Sequence, residues 1–95
     1  MKLNDLNPLL GSYRSSDQSW ELGLDCPKCG RRFSIRVSSW PHPIHPMWQI
    51  IGMDHSREGW DAISIFPSIN NHPRGRNWPQ CDAHFTITDG QVLTN

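Results

Sequence analysis

Tyrosine occurs once in this 95-residue chain and cysteine three times. No apolar run is long enough to cross a bilayer as a helix. The start, "MKLNDLNPLLGSY", is broken by Asn4, Asp5, Asn7 and Pro8, so it does not read as a secretory signal. Without export the three cysteines are poor candidates for a disulfide framework, their odd number rules out full pairing, and they read better as metal ligands in a cytoplasmic protein. Net charge is missing too: nine basic residues balance nine acidic ones. That removes the broad positive surface on which nucleic-acid or membrane-surface binding depends. The local cluster of Lys28, Arg31, Arg32 and Arg36 then reads as a solvated face. Only 36% of the residues are hydrophobic, so the core is thin and a staple is expected.

What is present is alternation and turn chemistry. Residues 1–19 are polar and turn-rich and read as an arm, with at most a short helical turn around Leu6 to Leu10. Residues 20–95 read as one domain. Trp20, Leu22 and Leu24 alternate with polar or small residues, as do Phe33, Ile35 and Val37, which is the period of half-buried strands. Between them lies "CPKCG", where Gly30 supplies the positive φ of a tight turn. Residues 38–46 form a proline-rich connection and "MWQIIG" a strand. "WDAISIFPSI" is a strand that Pro67 sends to an edge or a bulge. "NNHPRGRNWPQ" is a long loop. In "HFTITDGQVLTN", Asp89-Gly90 signals a two-residue hairpin that sets Ile87 opposite Val92 and Phe85 opposite Thr94. The expected fold is mainly β: a small, zinc-stabilised, knuckle- or ribbon-like antiparallel domain with long loops and little helix.

Cys26 and Cys29, together with Cys81 and His84, make two pairs with the same spacing. Each pair can converge from one tight turn, and two such turns complete a zinc tetrahedron. Four protein ligands leave no place for water, so one structural Zn²⁺ is expected, adding on the order of 10 kcal/mol to folding. The alternative is that Cys81 is a small buried hydrophobe and His84 an ordinary strand residue. His42 and His45 read as solvated loop histidines. Of the five tryptophans, Trp20, Trp48 and Trp60 are expected in the core. Trp40 and Trp78, in loops, either anchor a partner or fold back over the core. Arg74 and Arg76, near Trp78, join them as candidate partner contacts.

"FPSI" at residues 66–69 and "CDAHFTITDGQV" at residues 81–92, with the early cysteine knuckle, resemble the family of small bacterial and phage proteins known as domain of unknown function 6527. The resemblance spans residues 20–93. Two roles are expected, both in the cytoplasm of a bacterium or a phage-infected bacterium, and the resemblance implies the first. The first is a peptidase acting on a ubiquitin-like protein in a bacterial conjugation system. The resemblance then marks Ser68 as nucleophile, with His72 or His55 as base and Asp54 or Asp61 to orient it. The second, favoured by small size, neutral charge and the loop tryptophans, is a non-catalytic, phage-borne module that binds and inhibits a host defence protein such as a CRISPR effector. A plainer reading of Ser68 stays open beside both: its hydroxyl bonds to nearby backbone at a strand end.

Overall fold

A computed structural model describes residues 1–40, 47–52, 56–71 and 83–94. Among them are seven strands: β1 Leu9–Arg14, β2 Ser19–Asp25, β3 Arg32–Ser38, β4 Trp48–Ile51, β5 Ser64–Asn71, β6 Ala83–Thr88 and β7 Gln91–Thr94. They form one sheet in chain order. Helical structure among the described residues is limited to two 3₁₀ segments, Leu3–Leu6 and Ser56–Ala62.

Alternation produces the strands and also decides their faces. Leu22 and Leu24 of β2 pair with Ile35 and Phe33 of β3, and all four are buried. Phe85 and Ile87 of β6 are fully buried, with Val92 of β7 behind them. Each such aliphatic or aromatic side chain contributes about 1.5–3 kcal/mol when it leaves water. The rings of Phe33 and Phe85, three strands apart in the sheet, meet edge-on with centroids 6.4 Å apart. The sheet therefore curls, and its inner face is the core. Trp20, Trp48 and Trp60 pack against that core as expected, each partly buried.

The sheet is mixed rather than purely antiparallel. Val37 and Ser38 of β3 pair in parallel with Trp48 and Gln49 of β4, a geometry that the long connection between them permits. Every other strand pair is antiparallel.

Residues 1–19 are more than an arm. Leu3 and Leu6 lie in the core, and residues 9–14 form β1 against β2. Lys2 bridges to Gln91, at the opposite end of the sheet from β1. The Leu3 amide donates to the Gly90 carbonyl, and the Val92 amide to that of Met1, both at 2.8 Å. The chain thus ties the two ends of the curled sheet together.

Asn7 Nδ2 donates to Asp25 at 2.8 Å and Arg32 to the same carboxylate at 3.0 Å, fixing the residue just ahead of Cys26. These hydrogen bonds, that from Asn7 first, hold the Asp25 carboxyl below its ordinary pKa. Their contribution is complete above the unfolded-state value and is lost as pH falls through the lower folded one. At the other end of the β2–β3 pair the buried Ser38 hydroxyl donates to the Asp17 carbonyl at 2.8 Å, so the turn ahead of β2 is pinned to β3.

Candidate functional site

The chemistry gathers where β5 leaves its ladder. Ile65 pairs with Ile87, and the next paired residue, Ile69, with Phe85. Four steps along β5 therefore match two along β6, and the surplus is taken up at residues 66–68. Pro67 has no amide to give to a ladder, which suits it to such a bulge. Its peptide bond with Phe66 is cis. Neither Pro67 nor Ser68 is in register with β4 or β6. Bulges re-aim side chains, and this one leaves Ser68 half-buried instead of sealed in the core.

On β6, Ala83, Phe85 and Ile87 point inward, so His84 and Thr86 take the outer face. His84 Nε2 lies 2.8 Å from Ser68 Oγ. Trp48 Nε1 donates to the Ser68 carbonyl at 3.3 Å from the β4 side. The serine is thus held between an indole on one neighbouring strand and an imidazole on the other. A hydroxyl within hydrogen-bond reach of an imidazole nitrogen is the arrangement from which an activated serine nucleophile is built.

The sequence offered His72 or His55 as the partner of Ser68. Both lie outside the described residues, as does Asp54. Asp61 is described, and its backbone lies against Gly90. That is the turn beyond the far end of β6 from His84, on the order of 15–20 Å along the strand, so Asp61 does not orient that imidazole. The histidine that reaches Ser68 is His84, which its spacing from Cys81 also suits to a metal.

Of the four expected zinc ligands, Cys81 lies outside the described residues. Cys26 is buried and Cys29 exposed. In their turn the Lys28 amide donates to Cys26 Sγ at 3.4 Å, and the Gly30 amide to the Cys26 carbonyl at 2.9 Å. Gly30 has φ +79°, as the turn requires. Among the described residues no group of three or more His, Cys, Asp or Glu side chains is placed to hold a metal ion. His84 does not suit the proposed tetrahedron if it also serves Ser68. Its Nε2 faces the serine, and a metal on Nδ1 would keep the ring proton on Nε2 and leave no lone pair there to accept another.

Trp40 is 38% exposed at the end of β3, where its amide donates to the Ser38 hydroxyl. Trp78, Arg74 and Arg76 lie outside the described residues, and so do His42 and His45. A concavity of about 560 Å³ lies over β1–β3, lined by Leu9, Glu21, Gly23 and Arg32 among others. No histidine is among its described lining residues, so the chemistry favours the site at Ser68. No helix among the described residues is long and apolar enough to cross a membrane.

His84, expected as a zinc ligand, lies against the Ser68 hydroxyl, and Trp48, expected in the core, also reaches the Ser68 carbonyl. The alternation of residues 83–87 already put His84 on the outer face. What was not visible was the pairing of β5 with β6, which brings Ser68 alongside it.

No curated protein and no solved structure matches the chain. Residues 5–94 do match a protein family, and that span contains the β5 bulge, Ser68 and His84. The chain belongs to the family described as bacterial ubiquitination-like system serine protease (BubE).

Proposed function

We propose that this protein is a serine peptidase that cleaves the ubiquitin-like protein of its pathway, with Ser68 as nucleophile and His84 as general base. The 2.8 Å approach of His84 Nε2 to Ser68 Oγ carries the reading, and membership of a serine protease family supports it. The resting imidazole carries its proton on Nδ1. Ser68 Oγ attacks the scissile carbonyl carbon as its proton passes to His84 Nε2. The C–N bond then breaks, and the departing amine takes that proton. Water next attacks the acyl-serine with His84 again as base, releasing the new carboxylate and restoring the hydroxyl. The Ser68 amide, outside the strand register on the bulge, is a candidate donor to the oxyanion. Trp48 keeps the serine backbone from shifting as charge develops.

In this reading His84 belongs to Ser68 and not to a metal. Cys26 and Cys29, with Cys81 as a further ligand, remain the residues that would hold a zinc ion. Zinc bound there would brace the turn at residues 26–29 as a structural ion, and the peptidase steps pass through protein groups alone.

One variant separates the two assignments. His84→Ala should lower hydrolysis by about 10³-fold or more, as loss of a general base does, with metal content per chain by elemental analysis equal to that of the wild type. A fall of one zinc per chain in the variant would return His84 to the ligand set. Full activity in the variant would remove it from catalysis.

A further inference from the structure

On the side of His84 away from β4 there is a second feature that catalysis alone does not use. A cavity of about 280 Å³ is lined by Pro27, Lys28, Ala83, His84 and Thr94. The curl of the sheet creates it by carrying the β2–β3 turn round to the strands that hold His84. Its size is at the lower end of small-ligand sites: too small for a folded partner, but suited to a short extended segment. Among its described lining residues, Lys28 is the one side chain with a formal charge. Its position is set by the turn, whose Lys28 and Gly30 amides both bond within Cys26.

We infer that this cavity receives the leaving side of the cleaved chain and that Lys28 selects a carboxylate there. The inference rests on the Ser68–His84 reading and deepens it. A base that takes the serine proton must hand it to the departing amine, so that amine leaves on the His84 side of Ser68. On the opposite side of Ser68 lies β4, whose Trp48 indole grips the Ser68 carbonyl. The first residues after the scissile bond therefore enter the space lined by Pro27, Lys28 and Thr94. A carboxylate there, from an acidic side chain or from the terminus of a short released tail, pairs with the Lys28 ammonium. A lysine-rich leaving segment meets like charge. Lys28 is exposed, so the discrimination is that of a solvent-accessible ion pair, about fivefold.

The test separates this claim from the one beneath it. The full chain is acetylated on Ser68 by p-nitrophenyl acetate, with release of p-nitrophenol. The acetyl group then passes either to water, giving acetate, or to an added amine, giving an N-acetyl dipeptide and the free serine. By microscopic reversibility the amine occupies the leaving-group cavity. The acceptors are Gly-Asp-amide, Gly-Ala with a free carboxylate, Gly-Ala-amide and Gly-Lys-amide, and the readout is the ratio of products within each variant. The wild type and Lys28→Arg should favour a carboxylate-bearing acceptor over Gly-Lys-amide about fivefold, and Lys28→Glu should invert the order. Whichever of Gly-Asp-amide and free Gly-Ala is captured better identifies the source of the carboxylate. Equal capture of all acceptors by the wild type, or an unchanged order in Lys28→Glu, overturns the role of Lys28 and leaves Ser68 standing. Absence of any Ser68-dependent burst overturns both.

Discussion

Alanine at position 68 should lower cleavage of the proposed ubiquitin-like substrate by about 10⁴-fold or more, the scale on which peptidases lose activity with their nucleophile. That is at least about 5.5 kcal/mol of lost transition-state stabilisation. The fold should hardly register the change. The Ser68 hydroxyl is half-buried, and Ser68→Ala removes one hydrogen bond, that to His84, worth about 1 kcal/mol. The Trp48 indole bonds to the backbone carbonyl and is kept. A shift in Tm of no more than roughly 8 °C is expected for a domain of this size. The combination of large kinetic loss and small thermal shift distinguishes a nucleophile from a hydroxyl that only ties down a strand end. If the hydroxyl is only structural, activity survives in Ser68→Ala.

Gly90→Ala should cost much of the fold's stability, about 4 kcal/mol or more in a denaturant titration, since it combines several of the severe mechanisms. An alanine Cβ at this position would fall 2.5 Å from the Asp61 Cα and 2.7 Å from the Trp60 carbonyl oxygen, both backbone atoms that cannot rotate away. Gly90 also has φ +73°, where a Cβ adds roughly 1–2 kcal/mol of local strain. Its two polar groups hold the molecule together: its amide donates to the Ile63 carbonyl and its carbonyl accepts from Leu3, both at 2.8 Å. Displacing this turn loosens the N-terminal residues that join the ends of the sheet. Against a typical total of about 5–15 kcal/mol, such a loss leaves little margin. Gly30→Ala is the control: φ is similar at +79°, but nothing lies within 4 Å of the added carbon, so only about 1–2 kcal/mol should be lost. Equal effects at the two positions would mean that the close approach to residues 60–61 is unimportant.

What could be read in the sequence was local. The Asp89-Gly90 hairpin has the expected register, Ile87 opposite Val92 and Phe85 opposite Thr94. The strands around the Cys26–Cys29 turn follow the alternation of residues 20–24 and 33–37, and Pro67 does mark a bulge. β1 was illegible for a physical reason. It is an edge strand with no buried residue, held by its ladder to β2, so no apolar alternation betrays it. Trp60 to Ala62 were read as strand but belong to a 3₁₀ segment, because a short apolar stretch does not reveal its own period.

The site was half legible. Ser68 was marked by resemblance, but its neighbour depends on β5 pairing with β6 across a long connection, and the parallel join of β3 to β4 is equally non-local. Spacing alone put His84 with Cys81, since a cysteine and a histidine three apart suit a metal as well as anything else. The fold adds what spacing could not: the imidazole stands on the outer face, 2.8 Å from a hydroxyl lifted out of the ladder.

The central claim is that His84 makes Ser68 a nucleophile, and covalent labelling tests it most directly. After reaction with a fluorophosphonate probe, intact and peptide mass spectrometry of the wild type should show a single adduct on Ser68, formed far faster than in His84→Ala and absent from Ser68→Ala. A wild type that stays unlabelled, or labels at another residue, or labels at the same rate without His84, would contradict it.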